Sequence, residues 1–174
     1  PEAQGKITKW SKVRAGWPNE EIHLYGPGSQ SGTFDFFTEE INGKSKSCRG
    51  DYTASEDDNV LVQGIAGDKY ALGYFGLAYY EANSDKLKLI GVDNGTGAVL
   101  PSVETVKNKT YSPLSRPLFI YISNTSAARP EVAAFVNFYL EHAATLSAEV
   151  GYVPLTAEES AAEKAKFAAF STNK

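Results

Sequence analysis

IHLYGPGSQSGTFDFFTEEING, residues Ile22–Gly43, is the stretch on which the reading of this 174-residue chain turns. Ile22 to Tyr25 has the composition of a short strand, and a turn built from Gly and Ser follows it. Phe34, Phe37 and Ile41 then recur at helical spacing over Thr33–Ile41 until Asn42-Gly43 stops the run. A strand that passes through glycines into a helix turns several backbone N–H groups, and the positive end of the helix dipole, toward one spot. That arrangement suits an anion. Ser29, Ser31 and Thr33 add hydroxyl donors to it.

Two familiar phosphate loops fit poorly. The dinucleotide fingerprint G-x-G-x-x-G is met by Gly26 and Gly28, but Ser31 stands at its third position. The P-loop needs a Lys directly after its last Gly, and Gly32 is followed by Thr33. The plainer alternative is a tight turn whose serines cap a helix.

Outward from this stretch, strand and helix signals alternate, which places the chain in the α/β class. Ser55, with Asp58 three residues on, reads as the start of a second helix whose Val60, Leu61 and Ile65 face inward. The runs 71–76 and 87–92 read as buried strands joined by a short helical piece over 77–82. A loop punctuated by Gly and Pro fills 93–113. Pro117–Ile122 (PLFIYI) reads as another buried strand. The segment 130–150 puts Val132, Val136, Tyr139, Ala143 and Leu146 on one helical face behind Pro130, and a last helix is expected over 157–170.

Composition excludes several classes. With 42% hydrophobic and 12% aromatic residues the chain can bury a core, which argues against disorder. A net charge of −4 argues against a protein that coats nucleic acid. Cys48 is the single cysteine, so neither an internal disulfide nor a Cys-rich metal site is expected. His23 and His142 lie far apart without metal-ligand spacing, so no metal, cofactor or catalytic group is assigned. No run approaches the ~20 apolar residues that cross a bilayer, and no signal peptide is visible. The chain opens on Pro1 and contains no Met, as expected of a processed chain or a piece of a longer one.

Five stretches, GKITKW (5–10), GPGSQSGTFDFFTEEI (26–41), ASEDDNVLVQGIAGDKYALGYFGLAYYEAN (54–83), SRPLFIYIS (115–123) and VGYVPL (150–155), together resemble the substrate-binding protein of the bacterial phosphate ABC transporter, and its cyanobacterial-type branch most. The resemblance runs over nearly the whole chain in the family's order. It implies a type II periplasmic-binding-protein-like fold, a mixed sheet flanked by helices in one lobe with part of a second. Residues 1–113 would form the second lobe, and 114–174 would return to the first. It implies that Ser31, Gly32 and Thr33 hold phosphate; Ser29 joins them as the further hydroxyl donor of the same turn. The implied function is capture of inorganic phosphate without turnover for a membrane permease, in the periplasm or at the cell surface.

Two departures accompany the resemblance. Where better-known members carry an Arg four residues before the Ser, this chain has Pro27, and Arg49 is the candidate replacement because a guanidinium grips phosphate in a bidentate fork. The alternative for Arg49 is a surface ion pair with Asp51 or Glu56. The opening part of the first lobe also has no counterpart, so half of the site, including the family's acidic proton acceptor, would come from a missing lobe or another chain. Two other functions stand beside this one. A phosphoryl-handling enzyme would use Ser31 or Thr33 as nucleophile, which needs a base or metal beside it. An adhesion or scaffold module would rest on the tripeptide Arg49-Gly50-Asp51.

Overall fold

The computed structural model describes residues 1–172. In chain order its elements are α1 (Trp10–Val13), β1 (His23–Pro27), α2 (Gly32–Asn42), β2 (Thr53–Ser55), α3 (Asp58–Ala66), β3 (Ala71–Gly73), α4 (Leu77–Glu81), β4 (Val92–Asp93), β5 (Ala98–Val99), α5 (Val103–Lys107), α6 (Pro130–Glu149) and α7 (Ala157–Thr172). They fall into two units, one formed by Pro1–Ile90 and one that begins at Gly91.

In the first unit β1 is the central strand of a parallel sheet ordered β2-β1-β3. Tyr25 pairs with Thr53 on one side and with Gly73 on the other, so the β1 turn leaves the sheet beside Ser55. Parallel neighbours require crossovers, and α2 and α3 supply them. The first turn of α2 buries Phe34 and the second buries Thr38, whose hydroxyl donates to the Phe34 carbonyl at 2.8 Å. Leu61 and Val62 of α3 complete the core, Leu61 with no exposed surface. Burying a side chain of that size stabilises the fold by about 1.5–3 kcal/mol. The α2 helix ends on Gly43 in the left-handed conformation, φ 70°, which a glycine takes without steric cost.

Several expectations are corrected here. The N-cap of α3 is Asp57, not Ser55: the Asp57 carboxylate accepts from the Asn59 N–H at 2.9 Å, while Ser55 Oγ accepts from the Asp57 N–H. At helical spacing Leu61, Val62 and Ile65 share one face, so Val60 points to solvent and Val62 takes the inward position. The strand expected over 71–76 is limited to Ala71–Gly73, because pairing with β1 ends at Tyr25. Of the run 87–92 only Val92 enters a strand, an antiparallel pairing of β4 with β5, and Ile90 is exposed.

In the second unit the predicted helix 130–150 is α6, with Pro130 in its first turn. It packs with α7, and Tyr111, Ala127, Val136 and Phe167 are buried. Burial also pushes the Tyr111 hydroxyl pKa up. Of the face expected on α6, Val136 is buried while Tyr139 and Leu146 remain exposed. The strand expected at Pro117–Ile122 is absent: these residues carry no regular secondary structure and no ladder partners among the described residues. Leu118, Phe119 and Tyr121 consequently face solvent, Tyr121 with 92% of its surface exposed. The expected loop over 93–113 contains β5 and the short α5, whose start is a reciprocal cap between Ser102 and Thr105.

Candidate functional site

Ser31 is the N-cap of α2, in extended conformation, and its Oγ accepts from the Thr33 N–H at 3.1 Å and the Phe34 N–H at 3.4 Å. The hydroxyl proton of Ser31 is left for another acceptor. The Gly32 N–H and the Thr33 hydroxyl meet no protein acceptor among the described residues. Gly32 is exposed and Thr33 half-buried, so these donors stand at the surface of the first unit, at the positive end of an 11-residue helix. Ser29, Ser31, Gly32 and Thr33 are thus brought together as the chain order demands.

The turn that leads into them is held by tertiary contacts. Glu56, just beyond β2, lays its carboxylate against the turn: Oε1 accepts from the Gln30 N–H at 3.2 Å. A Cβ on Gly28 would come within 2.1 Å of that oxygen, so only glycine admits the carboxylate there. An anionic group of the protein therefore already lies against this turn. On the other side, Lys46 Nζ stands 3.4 Å from the Ser29 carbonyl oxygen and 3.8 Å from Asp35 Oδ1. That Asp35 oxygen is shielded from solvent and accepts no hydrogen bond.

Arg49 is fixed by other groups. Its Nε and Nη2 donate to the two oxygens of Asp51 at 2.6 and 2.7 Å, and its Nη1 donates to the Ile7 carbonyl at 3.1 Å. The guanidinium holds the Asp51 carboxyl well below the usual carboxylate range, at about 2. Three of the five guanidinium N–H groups are used by these bonds, which leaves about two for a further acceptor. Arg49 and Asp51, two members of the adhesion-like tripeptide, are thus bonded to one another. His23 Nδ1 bonds Asp68, whose carboxyl pKa is lowered first by the Tyr70 N–H and then by His23, and the His142 ring packs on Phe138. Among the described residues no group of three or more His, Cys, Asp or Glu is placed to hold a metal ion.

Lys46 and Glu56 were not singled out as site residues by sequence reasoning. Both reach the turn only through the fold, from loops 15 or more positions beyond Ser31. The run of acids 56–58 was the one available signal for Glu56, and it reads equally well as a helix start.

Comparison with known proteins places this geometry in a family. Residues 3–142 match the model of the PBP superfamily domain. The chain belongs to the PBP superfamily. Within that superfamily it is 53% identical to Protein SphX of Synechocystis sp., over 91% of this chain and 47% of that protein. It is 37% identical to the phosphate-binding protein PstS of Staphylococcus haemolyticus, over 86% of this chain and 46% of that protein. The chain thus spans about half the length of these relatives. Among solved structures it superposes on a possible phosphate binding protein from Planctomyces limnophilus with a TM-score of 0.84 at 47% identity, covering 97% of this chain and 60% of the other. An ABC-type phosphate transport receptor from Vibrio cholerae, 21% identical with a TM-score of 0.62, shares the fold. The binding-protein-like α/β architecture implied by the resemblance therefore holds for this PBP superfamily chain, with a parallel rather than a mixed sheet in its first unit.

Proposed function

We propose that this chain carries one part of a solute receptor for inorganic phosphate that serves an ABC-type permease, working in the periplasm or at the cell surface. The observation that carries the reading is the start of α2, where the Ser31 hydroxyl, the Gly32 N–H and the Thr33 hydroxyl share one helix N-terminus. Its setting supports it: relatives at 37% and 47% identity bear the names phosphate-binding protein and possible phosphate binding protein. In this reading Ser31, Gly32 and Thr33 donate to the phosphate oxygens, Ser29 stands at the rim, and Arg49 offers the two N–H groups not taken by Asp51 and Ile7. Because Asp51 and Ile7 already fix the guanidinium, little side-chain entropy is lost when it binds. The remaining ligands come from a further lobe or another chain.

The reading is one of binding without turnover. Calorimetric titration with inorganic phosphate tests it, and Thr33→Ala is expected to weaken binding by about 1–3 kcal/mol, the usual loss when a charged acceptor is deprived of a donor. Equal affinity of the variant and the parent would remove the site. Release of inorganic phosphate from a phosphate monoester, abolished by the same substitution, would instead favour an enzyme.

A further inference from the structure

We propose that Lys46 is a second cation, beside Arg49, that balances an oxyanion at the start of α2, an inference that rests on the phosphate reading above. The starting observation is backbone strain. Lys46 has φ 63°, a left-handed conformation that glycine adopts freely and lysine rarely. Such an outlier persists where surrounding contacts hold it, and it is more frequent at binding sites than elsewhere. Here the hold is explicit. The Lys46 N–H donates to Thr38 Oγ1 at 2.8 Å, and Thr38 is completely buried in the second turn of α2.

This clamp fixes where the side chain starts, and the ammonium ends beside the turn, 3.4 Å from the Ser29 carbonyl oxygen and 3.8 Å from Asp35 Oδ1. An ammonium has three N–H groups; the Ser29 carbonyl takes one and Asp35 accepts no hydrogen bond, so two remain for a ligand. The charges around the turn give Lys46 its role. Asp35 lies in the first turn of α2, two residues past Thr33, and Glu56 bonds the Gln30 N–H. Both carboxylates repel an arriving anion. The ammonium offsets Asp35 and draws the ligand toward the donors of Ser31, Gly32 and Thr33.

The test is a 31P NMR linewidth titration of inorganic phosphate with the receptor that joins this chain to the remaining lobe, and with its variants, at low and at near-physiological ionic strength. Lys46→Gln is expected to weaken binding about three- to tenfold, a modest factor because the side chain is largely exposed, and to flatten its dependence on salt. Lys46→Arg should restore most of the affinity. Lys46→Gly separates the two roles of the position: it relieves the left-handed backbone, so the thermal midpoint should hold or rise while phosphate binding falls as in Lys46→Gln. Lys46→Gln and Lys46→Gly variants that bind phosphate as tightly as the parent would overturn the role of Lys46 and leave the phosphate reading standing. A parent receptor that leaves the phosphate line unbroadened at every concentration would overturn both.

Discussion

At the scale of single residues, Ser31 and Thr33 have separable duties. Ser31 Oγ caps α2, so Ser31→Ala should cost about 0.5–2 kcal/mol of folding stability as well as phosphate affinity. Thr33 makes no cap bond through its hydroxyl, so Thr33→Ala should lower affinity and leave the urea midpoint nearly unchanged. Glu56 is expected to oppose the ligand, because its carboxylate bonds the Gln30 N–H of the same turn. Glu56→Gln should therefore tighten phosphate binding in a calorimetric titration, and a weaker complex would show that the carboxylate supports the turn more than it repels the anion. The Arg49–Asp51 pair carries a pH signature. With its pKa depressed to about 2 by Arg49, Asp51 contributes stability that is present above the ordinary carboxylate value and is lost as pH falls through about 2. Urea unfolding of the parent and of Asp51→Asn should converge at acid pH and separate above it.

At the scale of elements, what could be read in the sequence was what neighbouring residues decide among themselves. The unit β1-turn-α2 was legible because its apolar spacing, its capping serine and its terminal Gly43 are all local. The strands expected over 87–92 and at Pro117–Ile122 were not, since an apolar run becomes a strand only when another strand supplies its ladder. In the first case only Val92 and Asp93 find a partner in β5, and in the second none is present among the described residues. The start of α3 slipped to Asp57 because Ser55 uses its hydroxyl on Asp57 rather than on the helix. The same limit applied to the site: its Ser, Gly and Thr lie in sequence order, whereas Lys46 and Glu56 arrive by tertiary packing. A left-handed φ at a lysine leaves no trace in composition. Leu61 is the element-scale test of the core, being without exposed surface on α3. Leu61→Ala should lower the unfolding free energy by about 2–5 kcal/mol, measured by denaturant titration.

For the whole molecule, the two units differ in how they cover apolar surface. The first has a sheet with a crossover helix to each outer strand, while in the second Leu118, Phe119 and Tyr121 of one irregular segment and Phe135 and Phe138 on one face of α6 are exposed. Large apolar side chains exposed in such number favour binding of other apolar surface. The chain should bind a hydrophobic dye in its folded state, and Tyr121→Lys with Phe119→Lys should reduce that binding without changing phosphate affinity. Dye binding unaffected by the double substitution would place the apolar surface elsewhere. The central claim is that the start of α2 is the seat of the anion. An amide-resolved NMR titration of the chain with inorganic phosphate tests it most directly: the N–H signals of Gly32, Thr33 and Phe34 should shift together along one saturating curve, with α6 and α7 unmoved. Phosphate-dependent shifts confined to other segments, with those three signals fixed, would contradict it.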